Sequence, residues 1–217
     1  MGIAEKIAAL QDRRIPWILL GITGLSLDMA AYNIFQNWLY MRPCEICVYI
    51  RFATTALVIA GILGAVNPGN LALKSAAYIV ALYGTVKGLA HSLELIKIGK
   101  ALRGSDPFGV QGCSPSPSYP FGLPLHEWFP GMFLPTGDCG VDYPIVPDGA
   151  VLSPMQKYFT DLYAEGWYLV PSWQFMKMEQ CTLVAFASIL SVLVVCLVSW
   201  VVVESKKRQH PGSDPAP

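Results

Sequence analysis

Apolar residues in this chain are gathered into four long blocks, separated by polar or proline-rich stretches. The first runs from Pro16 to about Trp38 and holds a single charge, Asp28. The second, from about Ile46 to Val66, contains Arg51. The third starts at Leu71 and stays apolar to Val86, with Lys87, His91 and Glu94 following. The fourth, Cys181 to Val203, carries no charge. Each approaches the ~20 residues that a helix rising about 1.5 Å per residue needs to cross hydrocarbon. The pattern predicts an all-α membrane protein, a single domain over 1–217. Its four transmembrane helices are expected at about 16–38, 46–66, 71–95 and 179–203, forming one bundle. Loops at about 39–47 and 96–178 and a tail over 204–217 complete the chain.

Positive charge flanks both termini: Lys6, Arg13 and Arg14 at one, Lys206, Lys207 and Arg208 at the other. Loops that remain in the cytoplasm carry such an excess. Both termini are therefore expected there, with both loops on the opposite face. Lys97, Lys100 and Arg103 do not oppose this, because long loops are translocated largely regardless of charge. A competing reading makes the first block a cleaved signal peptide, with small residues at Ala30 and Ala31. Its apolar run is long for that role.

The long loop holds ten prolines between Pro107 and Pro154, which excludes a long helix or a central strand. It also holds Phe108, Phe121, Trp128, Phe129 and Phe133 and two cysteines, a composition unlike plain disorder. Near its end, Met155, Tyr158, Phe159, Leu162 and Tyr163 fall at helical spacing. A short amphipathic helix is expected there, lying on the membrane surface or packed against the loop. The tail His210–Pro217 reads as disordered.

Composition sharpens this picture. The 217 residues are 53% hydrophobic and only 14% charged, against roughly 25% charged in a soluble domain. Fifteen basic residues balance fifteen acidic ones, so no electrostatic footprint for nucleic acid exists.

The six cysteines then carry the chemistry. Cys181 and Cys196 lie inside the fourth block, where a free thiol packs as a small hydrophobe. Cys44-Glu-Ile-Cys47 is a CxxC motif at the start of the second span, and Cys113 and Cys139 lie in the long loop. On this topology all four share one face of the membrane. They allow three pairings, and a purely structural framework or a metal site are alternatives to redox use. Zinc favours two close pairs or nearby histidines; only His126 is at hand, and no metal is expected.

Position favours the redox reading. CxxC thiolates are stabilised at a helix N-terminus. Arg51, four residues beyond Cys47, shares its helix face and is costly at membrane depth unless it serves something. It can stabilise a thiolate or donate to a carbonyl ligand. Two dithiol pairs, one at lipid depth, suggest a relay that ends on a lipid-soluble acceptor. No CxxCH or GxGxxG motif points to haem or a dinucleotide. A quinone fits. Lys87, His91 and Glu94 share a face of the third helix, and depth counting suggests a buried Asp28–Lys87 tether between helices one and three.

Arg42-Pro-Cys-Glu-Ile-Cys-Val-Tyr-Ile-Arg51 resembles the PCxxCxxxR signature of the DsbB family of bacterial inner-membrane disulfide-forming proteins. The segment Leu123 to Cys139, ending in Gly-Asp-Cys, is similar to that family's second-loop motif, and Asp28 matches an acidic position. The stretch from Gly140 to about Trp167 is an insertion relative to the commonest members. In this it resembles the DsbI branch, which works with a dedicated DsbA-like partner, DsbL. The resemblance implies a bound ubiquinone or menaquinone and a periplasmic thioredoxin-fold partner of the DsbA or DsbL kind. It implies that Cys113 forms the mixed disulfide with the partner, and that Cys139 resolves it and exchanges with Cys44. Cys47 would face the quinone beside Arg51, and the family's quinone-side position late in the third span falls near His91. Vitamin K epoxide reductase-like proteins also combine a bundle with a CxxC, but theirs lies late in the bundle.

Overall fold

A computed structural model of the chain describes residues 2–104 and 113–209. The expected disorder of His210–Pro217, and Phe108, lie outside the described residues. The elements in chain order are α1 (Ile3–Gln11), α2 (Arg14–Met29) with a π-helical continuation (Ala30–Trp38), α3 (Glu45–Val66) and α4 (Leu71–Arg103). After these come α5 (Leu125–Trp128), α6 (Pro130–Phe133), α7 (Pro154–Leu162), β1 (Tyr168–Val170), β2 (Phe175–Lys177) and α8 (Met178–Gln209).

Four helices are long and apolar enough to cross a membrane: Arg14–Trp38, Glu45–Val66, Leu71–Leu102 and Met178–Lys206. They are the four spans expected from the hydrophobic blocks. Their exposed faces carry Ile18, Ile22, Ile59, Ile62, Ile79, Val192 and Val195, as helices surrounded by lipid require. The third helix continues eight residues past the expected end at 95. Lys97, Lys100 and Leu102 are good helix formers, and leaving the hydrocarbon does not itself break a helix. The long loop accordingly begins later than the expected 96.

The helices pack through small residues. Ala53, Ala56 and Ala60 of α3 meet Ala77, Ala81 and Gly84 of α4 in a core completed by Trp17, Leu57, Phe186 and Leu193. Such residues let helix backbones approach where no hydrophobic effect drives association. At the α2–α3 crossing the contact is backbone on backbone: a Cβ on Gly61 would stand 2.5 Å from both Cα and N of Gly21. Gly61→Val is expected to cost about 3 kcal/mol, because no side-chain rotamer can relieve the clash. Thermal unfolding in detergent should show a clear fall in Tm, and lipid-facing Ile62→Ala should show almost none.

α1 is not foreshadowed by hydropathy. It folds onto α8, and its last residue, Gln11, is buried. Gln11 Nε2 donates to Cys196 O (2.8 Å), and its Oε1 accepts from the Tyr78 hydroxyl (2.6 Å). Lys74 reaches Asp12 at 2.7 Å and lies over the Trp200 ring.

In the long loop, prolines open short turns instead of ending long elements: Pro130 starts α6, and Pro154 starts α7 behind a Ser153 cap on Gln156 N. α7 covers the stretch read as amphipathic. Phe159 packs on Trp38 and Tyr163 on Trp167, while Met155 and Tyr158 stay exposed. The helix therefore both packs inward and presents an apolar edge outward. β1 and β2 form an antiparallel hairpin, Tyr168 opposite Lys177, that leads directly into α8. Strands of three residues lie below what periodicity can reveal.

Candidate functional site

Leu39 to Cys44 leaves the π-helical stretch and turns the chain back into α3. Cys44 is the N-cap of α3, and its sulfur accepts from Cys47 N at 3.1 Å. The two cysteines are disulfide-bonded, as are Cys113 and Cys139. Of the three pairings open in the sequence, the structure holds this one. The pairs are packed together: Cys44, Ile46 and Cys139 form a buried cluster that Cys47, Cys113, Tyr49, Leu95 and Ile98 surround. Cys44 is only 1% exposed. Cys181 and Cys196 are free and half-buried.

The loop reaches the CxxC motif from both sides. Thr136 N and Gly137 N donate to Pro43 O at 2.9 and 3.0 Å. Gly137 lies so close to Arg42 that a Cβ there would meet its carbonyl oxygen at 2.7 Å. On the other side, Ser114 N donates to Glu45 Oε2 (2.6 Å) and Ser118 N to the Tyr49 hydroxyl (2.9 Å). Tyr119 packs among Tyr49, Phe52 and Phe133 and donates its hydroxyl to Phe133 O at 2.6 Å. Burial, reinforced by nearby Tyr49, raises its phenol far above the ordinary range, so it remains a neutral donor.

Beneath the cysteines is a cavity of about 400 Å³. Cys44, Cys47, Arg51 and Asp28 are on its wall, α8 contributes Cys181 and Phe186, and Trp167 and Asp142 of the long loop border it. Arg51 is 6% exposed, so it does not snorkel to the surface. Its Nη1 donates to Gln36 Oε1 (2.6 Å) and Met132 O (3.2 Å), and its Nη2 to Ala31 O (3.1 Å). Gln36 in turn donates to Gly131 O at 3.0 Å. Of a guanidinium's five N–H donors, the Arg51 bonds among the described residues use three. The π-helical winding matters here: it turns a backbone carbonyl of a membrane-spanning helix towards a side chain on α3, a known use of such segments at functional sites.

The sequence expectations meet this geometry unevenly. Cys44, Cys47 and Arg51 share one cavity, but Arg51 is hydrogen-bonded to α2's continuation and to α6, not to Cys47. Asp28 does not pair with Lys87 of the third span, α4: it accepts from Thr54 and Thr55 of α3, the second span, while Lys87 is exposed. Two hydroxyls one helical step away satisfy a buried carboxylate without the long reach a lysine would need. His91 is not on the cavity wall. Its ring lies against Tyr49 and its Nδ1 is 3.3 Å from Glu94, so its side of α4 faces the loop contact. Gln36 was missed entirely; with Asn33 and Asn37 on either side of it in the same span, nothing in the sequence singles it out. Among the described residues, no three His, Cys, Asp or Glu side chains are grouped to hold a metal ion.

Two disulfides in contact at one end of a four-span bundle, one of them on the wall of an apolar cavity, define a membrane thiol–disulfide oxidoreductase. Residues 13–196 match the family described as "Disulfide bond formation protein DsbB", and the chain belongs to that family. Protein-disulfide oxidoreductase DsbI of Salmonella typhimurium strain LT2 is 48% identical over 201 residues, covering 90% of this chain and 89% of its own. The protein of that name from Escherichia coli O1:K1 / APEC is 47% identical over 201 residues, 90% of each chain. A Campylobacter fetus subsp. fetus protein carrying the DsbI name is 46% identical over 196 residues, 90% of this chain and 91% of its own. The chain is thus a multi-pass protein-disulfide oxidoreductase of the DsbB family. The relatives' DsbI name agrees with the branch expected from the loop length.

Proposed function

We propose that this chain reoxidises a periplasmic thioredoxin-fold protein of the DsbA or DsbL kind and passes the electrons to ubiquinone or menaquinone in the bacterial inner membrane. The carrying observation is that the CxxC disulfide lies between the loop disulfide on one side and the Arg51 cavity on the other. The positive termini support a cytoplasmic location for both chain ends and a periplasmic one for the cysteines.

The cavity residues suit a quinone. The wall is mainly apolar, and Arg51 on it has two N–H donors that no bond among the described residues uses, which suits a carbonyl oxygen. Cys44 and Cys47 are on the same wall. A quinone bound there supplies the two-electron, two-proton acceptor that the dithiol requires. Arg51 would orient its carbonyl, and Asp28 would balance the buried positive charge.

The protein's own residues perform the exchanges. A partner thiolate attacks the Cys113 sulfur, breaking the Cys113–Cys139 bond and releasing the Cys139 thiolate. The partner's second thiolate then attacks the mixed disulfide, leaving the partner oxidised and Cys113 and Cys139 reduced. The Cys139 thiolate attacks Cys44 and displaces the Cys47 thiolate. Cys113 closes on Cys139 and releases Cys44. Two electrons and two protons have then moved from the partner to the Cys44/Cys47 pair. That pair is at a helix N-terminus, which stabilises its thiolates.

The test combines purified protein, a reduced thioredoxin-fold CxxC protein and a short-chain ubiquinone, with quinone absorbance as the readout. Quinone loss should match partner oxidation mole for mole. Sustained partner oxidation, beyond the equivalents held in the two disulfides, that does not require quinone would overturn the reading. Gln36→Leu removes the shortest hydrogen bond to Arg51, and bonds to charged groups contribute about 1.5–3 kcal/mol. It is expected to raise the KM for quinone about tenfold while the KM for the partner stays unchanged.

A further inference from the structure

The two cysteine-bearing arms of the long loop are attached to the CxxC motif by different means. The Cys139 arm is held by backbone: two amides bond to Pro43 O, and Gly137 is pressed against Arg42. The Cys113 arm is held by side chains. Glu45, between the two CxxC cysteines, accepts from Ser114 N with Oε2 and from the Tyr49 hydroxyl with Oε1 (2.9 Å). Tyr49 accepts from Ser118 N. Within the arm, Ser116 N donates to Ser114 Oγ at 3.1 Å, closing a local turn. One carboxylate and one phenol thus grip both ends of Ser114–Ser118, and His91 backs the Tyr49 ring from α4.

We propose that Glu45 and Tyr49 form a releasable clamp on the Cys113 arm, docked during internal disulfide exchange and open while Cys113 engages the partner. The inference rests on the relay proposed for this site and assigns two positioning residues to it. While the Cys113–Cys139 bond is intact, the arm is also tethered covalently. Once a partner thiolate opens that bond, the tether is gone, and Glu45 and Tyr49 are the polar groups of α3 that hold the arm. Cys139 meanwhile stays beside Cys44 on its backbone anchor. This division suits the chemistry: the sulfur that attacks Cys44 must keep its place, and the capturing sulfur must move out and return. A disulfide exchange needs three sulfurs in line, so a misplaced arm slows the second step through lost orientation.

The clamp predicts a split between capture and transfer. Full-length protein is mixed with a reduced thioredoxin-fold CxxC protein, and thiols are trapped by rapid alkylation. Reduction of Cys113–Cys139 reports capture; reduction of Cys44–Cys47 reports transfer. Glu45→Ala should slow transfer about tenfold, as expected for loss of bonds to a charged group, and leave capture unchanged or faster. Steady-state kcat should fall while the KM for the partner does not rise. Tyr49→Phe, which loses the Ser118 anchor and the hydroxyl's bond to Glu45 but keeps the Ser114 bond, should show a smaller loss of the same kind. Glu45→Gln keeps an acceptor oxygen and should restore transfer to within about threefold of wild type. Unchanged transfer in Glu45→Ala, or an equal loss of capture and transfer, would overturn the clamp. If wild-type protein itself shows no transfer between the pairs, the relay fails and not the clamp alone. Oxidised Cys44–Cys47 in each purified variant verifies that the bundle has folded.

Discussion

Cys44→Ser protein is expected to oxidise a single equivalent of reduced partner and then stop. Its Cys113–Cys139 disulfide remains available to the first partner molecule, but no sulfur is left to accept the electrons. Steady-state turnover should fall by at least about 10³-fold, as when an essential nucleophile is removed. Cys113→Ser should lack even the first equivalent, because the capturing sulfur is gone. Burst and steady-state phases of partner oxidation, followed beside quinone absorbance, distinguish the two. Sustained quinone reduction by either variant would remove the sulfur relay from consideration.

Replacement of Arg51 should have the next largest effect, and on a different step. Arg51→Ala leaves Gln36 Oε1 and Ala31 O without their donor, and leaves the Asp28 carboxylate in the cavity without its cation. Breaking a buried charge arrangement from one side costs about 3–5 kcal/mol, so this variant should be visibly less stable. Arg51→Lys and Arg51→His are the more informative changes. Neither has a planar fork able to reach three acceptors and still present two donors. Both should raise the KM for quinone about 10- to 100-fold. Both disulfides should still form, as thiol alkylation under denaturing conditions would show. A normal quinone KM in Arg51→Lys would mean that charge alone suffices and that the donor geometry is irrelevant.

The features legible in the sequence are those set by local interactions. The spans were legible because a bilayer demands a run of apolar residues whatever lies beside it. The CxxC motif and Arg51 were legible as neighbours because four residues on a helix fix a face. The pairing of Asp28 was not: counting depth from the termini placed Lys87 nearby, but depth says nothing of which way each helix is turned. Asp28 instead found Thr54 and Thr55, two hydroxyls on the adjacent α3. His91 was assigned to a quinone side by likeness alone, and in the structure its ring lies against Tyr49. α1 and the β1–β2 hairpin were missed because each is short and defined by its packing partners. The clamp on Ser114–Ser118 could not be read at all, since it joins residues 69 positions apart through side chains that no pattern pairs.

The wide winding of Ala30–Trp38 has an evolutionary corollary. Such a stretch accommodates a surplus residue without lengthening the helix by a full step. Deleting one position there, such as outward-facing Asn33, would let the segment rewind with ordinary pitch, keeping the flanking helix in phase but losing the wide turn that leaves the Ala31 carbonyl for Arg51. The Ala31 carbonyl would then turn back into its own helix, and the guanidinium would lose that acceptor. Substitutions on the lipid side of this segment should therefore be tolerated freely, whereas changes in its length should not.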